Sequence, residues 1–335
     1  MRIGLNIMLA CKTLPMNAAS PRTVRSLLAL LAVAAATAGC GSSSSGSSAS
    51  GLASSGGSTG ANRGRFVVVA GENFWGSIAM QLAGEKATVH SIIVNPTTDP
   101  HSYQPTAQDA RTVAGAKMAV VNGLGYDKWM PQALAASPLA GRVVLTVGDL
   151  LGLKEGDNPH QWYSPTSVYE VIDQIVADYD RLDPADSGYF GQRKQIFETQ
   201  GLARYNQLRQ AIRSRYAGVP VGYSESIFQP LGEDLGLKLM TPASFAKAIA
   251  EGTEVTAQDK QAVDSQAQSR QIKLWVYNSQ NVTPDVQGVT SIVRARQIPI
   301  ATVTETLSPA SYSFQQWQVA ELEGVLAALH RATGR

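Results

Sequence analysis

Two of the four histidines in this 335-residue chain directly follow a proline in a polar segment. His101 stands in Thr98-Asp99-Pro100-His101-Ser102-Tyr103-Gln104-Pro105-Thr106, and His160 stands in Asn158-Pro159-His160-Gln161-Trp162. Proline fixes its own φ and biases the preceding residue toward extended geometry, so we expect each imidazole on a stiff, non-helical stretch. Because neutral imidazole is the commonest metal ligand in proteins, the pair predicts half of a metal site.

Two glutamates supply the other half of the predicted site. Glu225 and Glu305 each follow an apolar run that is predicted to be a strand, and ligands of open α/β sheets bind beyond the carboxyl ends of the strands. His101 and His160 follow the corresponding ends in the first half of the chain. Four nitrogen and oxygen ligands without sulfur suit manganese, zinc or iron(II) rather than copper(I).

Each of these four residues also has a purely structural explanation. His101 would cap the helix that follows it, and His160 would be a hydrogen-bonded loop histidine. Glu225 would interact with the dipole of a following helix, and Glu305 would be a solvated loop acid. Ligation makes a further prediction about pH, because imidazole binds metal only when neutral and its ordinary pKa lies near 6.5. Affinity is expected to fall between about pH 7 and 5, with glutamate protonation adding a loss near or below about pH 5.

The elements that must position these residues alternate between strand-like and helix-like patterns. This alternation predicts an α/β protein with parallel sheets flanked by helices. Residues 65–335 exceed the usual size of a single domain, so we expect two lobes. The predicted boundaries give an N-terminal lobe over 65–183, a long connecting helix over 184–216 and a C-terminal lobe over 217–335.

Residues 1–40 have the pattern of a secretory signal peptide. Arginines precede the apolar run 27–36, and small residues lead from that run to Cys40. A run of about 10 residues is too short to span a bilayer. Cys40 after Ala-Gly resembles the lipobox of bacterial lipoproteins, in which the thiol is acylated, although Thr37 stands where that pattern usually has leucine. The alternative is an ordinary cleaved signal without lipid.

The segment after Cys40 is predicted to be a flexible tether. Residues 41–64 are almost entirely serine, glycine, alanine and threonine, and cannot bury enough apolar surface to fold. Translation starts at Met1 or Met16. The other cysteine, Cys11, lies before the predicted cleavage point, so the mature chain has neither a disulfide nor a thiolate ligand.

Four segments together resemble one known family, the metal-binding lipoproteins of bacterial ABC importers for zinc or manganese. The resemblance rests on the two Pro-His segments, on Val121-Asn122-Gly123-Leu124-Gly125-Tyr126 and on Val303-Thr304-Glu305-Thr306-Leu307, and it covers nearly all of residues 66–332. It implies two lobes joined by one rigid helix, with one metal ion held between the lobes by four side chains. The positions of these ligands fall on His101, His160, Glu225 and Glu305.

The resemblance also implies a function outside the cytoplasm. The protein would bind one divalent transition metal, Zn²⁺ or Mn²⁺, as cargo and deliver it to an ABC permease in the cytoplasmic membrane. It would be a monomer, anchored by lipid on the periplasmic side or the outer face of the membrane. Zinc-preferring members usually have a third histidine at the position of Glu225, whereas manganese-preferring members have Glu there and Asp at the position of Glu305. Glutamate at both positions leaves the metal open.

Two other classes of protein share some of these features. A secreted zinc-dependent hydrolase needs an open metal position, which four protein ligands would close. The chain has no His-Glu-x-x-His motif and no Gly-x-Ser-x-Gly elbow between a predicted strand and helix, so we expect no enzyme. A metal-binding surface adhesin is compatible with transport. A net charge of +2 without a basic patch among aromatics argues against a nucleic-acid partner.

Overall fold

Eight strands form two four-stranded sheets in the part of the chain that the computed structural model describes, residues 65–335. The strands are β1 Phe66–Glu72, β2 Ala87–Ile93, β3 Met118–Val121, β4 Val143–Thr146, β5 Pro220–Tyr223, β6 Lys238–Leu239, β7 Leu274–Asn278 and β8 Ile300–Val303. The first sheet has the order β2-β1-β3-β4, and the second has the order β6-β5-β7-β8. Neighbouring strands run parallel in both sheets, which confirms the predicted α/β fold with two lobes.

Twelve α-helices surround these sheets within the described residues. They are α1 Asn73–Ala83, α2 Ala107–Gly115, α3 Trp129–Ala136, α4 Val147–Leu150, α5 Pro165–Leu182, α6 Ser187–Ile196, α7 Ala203–Tyr216, α8 Gln229–Asp234, α9 Ala243–Ala250, α10 Ala257–Gln268, α11 Pro284–Ala295 and α12 Phe314–Thr333. None of the helices within residues 65–335 is both long and apolar enough to cross a bilayer. The predicted signal peptide, Cys40 and the tether 41–64 lie outside the described residues.

Both sheets present the same edge to the site. Their central strands β1 and β3, and β5 and β7, are rich in buried apolar residues, as expected for parallel strands covered on both faces. In each sheet the chain order reverses between these two central strands. Ligand crevices of open α/β sheets form at this switch point, beyond the carboxyl ends of the strands. The loops after the strands therefore carry the polar residues of both lobes toward one region.

One apolar core joins the two lobes. The largest buried cluster contains Val68 of β1, Val221 of β5 and Phe314 of α12, together with helices that lie between the sheets. Two smaller clusters cover the outer faces, one against β1 and β3 and the other around Trp275 of β7. The described residues accordingly form one compact unit rather than two separate bodies.

The connection between the lobes is helical but not a single regular α-helix. A 3₁₀ turn at Pro184–Asp186 leads into α6, and a π-helical turn at Phe197–Gly201 separates α6 from α7. The backbone N–H of Leu202 donates to the carbonyl of Phe197 at 2.8 Å, five residues earlier, which is the hydrogen bond of a π-turn. The predicted boundaries at 184 and 216 stay proposals for where the lobes end.

Helix α2 has a capping box that fixes the end of the His101 loop. The Thr106 hydroxyl accepts a hydrogen bond from the Asp109 backbone N–H at 3.2 Å, and the Asp109 carboxylate accepts one from the Thr106 N–H at 2.7 Å. This arrangement satisfies donors that a helix N-terminus otherwise leaves without a partner. The sequence Thr106-Ala107-Gln108-Asp109 predicts a helix start with Thr106 as the N-cap, and the structure confirms this prediction.

Replacing Thr106 with alanine should lower the free energy of unfolding by about 1 kcal/mol, because the cap is lost. Thr112→Ala is the matched control. Thr112 is a partly exposed residue of the same helix, and its hydroxyl donates only to the Gln108 carbonyl of the preceding turn. Because alanine has the higher helix propensity, the free energy of unfolding of this variant should not fall. Urea denaturation of both variants measures the difference. Equal losses in the two variants would contradict the role of the cap.

Candidate metal centre

The structure brings His160, Glu225 and Glu305 together from both lobes. His160 precedes a 3₁₀ turn after the first sheet, Glu225 follows β5 and Glu305 follows β8. The Nε2 atom of His160 lies 3.6 Å from Oε2 of Glu305 and 4.0 Å from Oε1 of Glu225. One potential ligand atom from each residue lies within 4.8 Å of the other two. The three side chains thus form a compact set of donors for a divalent cation.

The His160 ring is held so that one nitrogen faces the two carboxylates. Asn158 Oδ1 lies 2.7 Å from Nδ1 of His160 and also accepts a hydrogen bond from the His160 backbone N–H. Asn158 itself donates to the carbonyl of Ser226 in the other lobe, at 2.8 Å. His160 is fully buried, and its Nε2 has no hydrogen-bond partner. A proton on Nδ1 leaves the Nε2 lone pair free, which is the usual state of a metal-binding histidine.

Three uncharged side chains fix the carboxylates. Asn278 Nδ2 donates to Oε1 of Glu225 at 3.2 Å and to Oε1 of Glu305 at 2.8 Å. Asn281 Nδ2 donates to Oε2 of Glu225 at 2.9 Å, and the Tyr126 hydroxyl donates to Oε2 of Glu305 at 2.8 Å. Since Tyr126 belongs to the first lobe, its hydrogen bond crosses between the lobes. The site is therefore tied together by the same contacts that orient its acids.

No permanent positive charge in the described part of the chain balances the two carboxylates of the site. Burial, and then the nearby charge of Glu305, raise the pKa of Glu225 well above its ordinary value. Burial would also raise the pKa of Glu305, but the positive charge that His160 carries when it is protonated, and hydrogen bonds from neighbouring side chains, bring that pKa below the ordinary value. Within the described residues, neither carboxylate forms an ion pair with lysine or arginine. A proton held by the pair accordingly resides on Glu225, and a cation would displace it.

His101, the fourth predicted ligand, is not part of this set. Its side chain is solvent-exposed, and its ring packs edge-on against Tyr126 with the ring centroids 4.7 Å apart. The backbone N–H of His101 donates to Asp99, which fixes the short turn Pro100–Ser102. The structure thus places His101 beside the three assembled residues rather than among them.

His101 and Glu305 nevertheless line the same cavity. It has a volume of about 240 Å³ and lies between the loop 96–101 of the first lobe and the segment 249–252 of the second. Asn281 lines it as well. A small cation entering this cavity would pass the imidazole of His101 before it reached the buried carboxylates.

The structural explanations of the four residues find little support in this geometry. Thr106, and not His101, caps α2. The Glu225 side chain makes no capping hydrogen bond to the turn that follows it. The Glu305 side chain is only 13% exposed, so it is not a solvated acid. His160 does make the hydrogen bond expected of a loop histidine, but through Nδ1 alone.

Four residues that contact the candidate ligands were not predicted from the sequence. Asn158 and Tyr126 stand within motifs that were noticed for their neighbours, whereas Asn278 and Asn281 belong to no such motif. The available signal was positional, because Asn278 ends the central strand β7 and Asn281 lies in the loop directly after it, where ligand-facing residues are expected.

Comparison with known proteins gives a coherent result. Residues 68–328 match the profile of a family described as zinc-uptake complex component A, periplasmic (ZnuA). The zinc-binding lipoprotein AdcA of Streptococcus pneumoniae is 23% identical over 285 residues, covering 76% of this chain and 53% of AdcA. The chain therefore spans about half the length of that relative. The metal ABC transporter substrate-binding lipoprotein FimA of Streptococcus parasanguinis is 23% identical over 296 residues, 80% of this chain and 91% of FimA.

Solved structures share the fold. A manganese-bound periplasmic metal-binding protein from Candidatus Liberibacter asiaticus superposes with a TM-score of 0.65 at 21% identity, covering 79% of this chain and all of that protein. The periplasmic zinc-binding protein TroA of Treponema pallidum gives a TM-score of 0.66 at 18% identity, with 79% and 99% coverage. The two-lobe arrangement of parallel sheets is therefore common to all three proteins.

Binding of Zn²⁺ to this centre should release a proton, because burial raises the pKa of Glu225 well above its ordinary value and the cation would displace the proton from that carboxyl. The affinity for Zn²⁺ should rise as the pH rises past the raised pKa of Glu225. This increase should occur at a higher pH than it would for a glutamate with an ordinary pKa. Titration calorimetry in buffers of different ionisation enthalpy counts the released protons. Glu225→Gln should release fewer than wild type, and Glu233→Gln, which changes an exposed glutamate, should release the same number. An unchanged count in Glu225→Gln would contradict the protonation of Glu225.

Proposed function

The chain belongs to the zinc-uptake complex component A family, and from that premise we propose that it is the extracytoplasmic solute-binding component of an ABC importer. Its cargo is a divalent transition metal, zinc or manganese. Its task is to bind the ion tightly outside the cytoplasm and to deliver it to a permease in the cytoplasmic membrane. An acylated Cys40 would keep the monomeric protein at that membrane, and residues 41–64 would act as its tether.

The orphaned Nε2 atom of His160 is the observation that carries this proposal. A fully buried ring nitrogen without a hydrogen-bond partner is costly, and two carboxylate oxygens face it within 4.0 Å. A divalent cation between these atoms would satisfy the nitrogen and neutralise the acids at once. Nitrogen and oxygen donors of this kind suit zinc and manganese.

His101 would complete the site as its fourth ligand. Its loop lines the cavity that leads to Glu305, so an inward shift of that loop would add an imidazole to the three assembled donors. Four protein ligands would close the coordination sphere of a bound ion. Such a closed site suits storage and transfer of the metal rather than catalysis.

The two alternative functions fit less well. A zinc hydrolase requires an open metal position with a bound water and a base that activates it. Here the acids that would serve as a base already face the position of the metal and are tied to amide donors. An adhesin role needs no buried site at all, and no surface feature described above favours it.

Replacing either histidine with alanine should abolish tight metal binding, since each substitution removes one ligand. His90→Ala is the matched control, because His90 is exposed in the middle of strand β2 and should leave the affinity unchanged. Calorimetric titration with Zn²⁺ and Mn²⁺ measures the affinity, and circular dichroism checks the fold. His160 is fully buried, so His160→Gln accompanies His160→Ala as a variant of more similar volume. Wild-type affinity in a folded His101 or His160 variant would remove that residue from the site.

Replacing Glu225 with histidine should weaken Mn²⁺ binding more than Zn²⁺ binding. The change removes a hard anionic oxygen, which suits manganese better than imidazole does. The ratio of the two dissociation constants, measured with a competing chelator at one pH, reports the effect. A ratio that stays within about threefold of wild type would contradict ligation by Glu225, because a helix-dipole partner contributes only about 0.3–1 kcal/mol to stability.

A further inference from the structure

Every oxygen of the two site carboxylates accepts a hydrogen bond from an uncharged donor. Asn278 reaches one oxygen of each glutamate, Asn281 reaches the second oxygen of Glu225, and Tyr126 reaches the second oxygen of Glu305. The Asn278 amide cannot turn away, because its Oδ1 accepts a hydrogen bond from the Gln280 backbone N–H at 2.9 Å. That bond directs Nδ2 of Asn278 toward the carboxylates of Glu225 and Glu305. The Asn278 side chain is fully buried.

The two oxygens of each carboxylate are not equivalent with respect to His160. Oε1 of Glu225 and Oε2 of Glu305 face its Nε2 atom and are the natural ligand atoms. The other oxygens, Oε2 of Glu225 and Oε1 of Glu305, are held by Asn281 and Asn278 respectively. To bind a metal through both oxygens, either carboxylate would have to rotate and give up the amide that holds its outer oxygen.

We propose that Asn278 and Asn281 are positioning residues that hold both glutamates in single-oxygen ligation and so make the site selective for zinc over manganese. The inference rests on the proposed function and refines its cargo. Two single-oxygen carboxylates and two imidazoles give four ligands, which matches the tetrahedral preference of Zn²⁺. Mn²⁺ favours higher coordination numbers with oxygen ligands, and a carboxylate that binds through two oxygens is one means of reaching them.

This arrangement explains how two glutamates can form a zinc site. Composition alone would assign a site with two carboxylates to a harder metal. The amide donors change this, because Asn281 and Asn278 hold the two outer oxygens that manganese would need. The second bond of Asn278, to the ligand oxygen Oε1 of Glu225 at 3.2 Å, leaves that oxygen directed at His160. The preference for zinc over manganese would then depend on the hydrogen bonds that orient the two glutamates rather than on the number of carboxylates.

The decisive variant is Asn281→Ala, which frees Oε2 of Glu225 at a partly exposed position and leaves the ligand oxygens in place. Its other contact, a hydrogen bond to the Ile249 carbonyl, lies at the solvent-accessible cavity, where water can replace it. The ratio of the Mn²⁺ and Zn²⁺ dissociation constants should fall about tenfold or more relative to wild type, because manganese gains a ligand that zinc does not need. Asn278→Ala should shift the ratio in the same direction through Glu305.

Two control variants distinguish a change in the coordination number of the bound metal from a general loss of structural order in the protein. Asn206→Ala removes a partly exposed asparagine amide of α7 that donates to the Tyr169 hydroxyl of α5, and it should leave the ratio within about threefold of wild type. Tyr126→Phe removes the donor to the ligand oxygen of Glu305 while Asn278 still holds the outer oxygen. It should therefore change both affinities together and leave their ratio unchanged.

The visible absorption of Co²⁺-loaded protein gives a readout that affinity alone does not. Four-coordinate Co²⁺ absorbs much more strongly than six-coordinate Co²⁺, so wild type should give an intense spectrum and Asn281→Ala a weaker one. A fall in both affinities with the ratio and the cobalt spectrum unchanged would overturn the proposal and leave the asparagines as ordinary structural residues. Failure of wild type to bind any of these metals would instead overturn the proposed function.

Discussion

The structure of the site depends on two buried carboxylates that share a small space with one imidazole and no permanent cation. Two like charges at this distance repel each other, and burial in a low-dielectric interior strengthens that repulsion. Burial and the charge of Glu305 raise the pKa of Glu225, so a proton bound to Glu225 would relieve this repulsion, and neutral hydrogen-bond donors hold both acids in place. These donors orient the acids without neutralising them, so the site stays poised to exchange its proton for a divalent ion.

The same constraint accounts for the architecture around the site. Neither lobe holds the three residues alone, and the two are linked there by hydrogen bonds from Tyr126 to Glu305, from Asn158 to Ser226 and from Tyr163 to the Thr304 carbonyl. Equivalent strand orders place the carboxyl ends of both sheets at this junction. The apolar core that both lobes share then holds them in the relative position in which these polar residues can form their hydrogen bonds.

The sequence was sufficient for the fold because its strands are short, apolar and regularly separated by helices with recognisable caps. The continuous apolar run Met118–Val121 indicates a buried strand and is β3. Thr106 and Ser164 are of residue types that favour helix starts, and they cap α2 and α5. The π-turn at Phe197–Gly201 could not be predicted, because nothing in the local pattern distinguishes it from a continuous α-helix.

The candidate site was predictable only for residues with strong intrinsic chemistry. The Pro-His motifs pointed to His101 and His160, and strand-end acids pointed to Glu225 and Glu305. The expectation that the glutamates titrate near their ordinary pKa does not hold for Glu225, since desolvation becomes apparent only when the chain is folded. Asn278 and Asn281 contribute through the direction and length of their hydrogen bonds to the two glutamates, and no local sequence pattern encodes this geometry.

The most direct test of the account is a crystal structure of the zinc-loaded protein with anomalous diffraction measured at the zinc absorption edge. We expect a single strong peak per chain between the lobes. Nε2 of His160, one oxygen each of Glu225 and Glu305, and the His101 imidazole should lie about 2.0–2.2 Å from it. A zinc ion bound stoichiometrically at other residues, or no ordered zinc in contact with His160, would contradict the account.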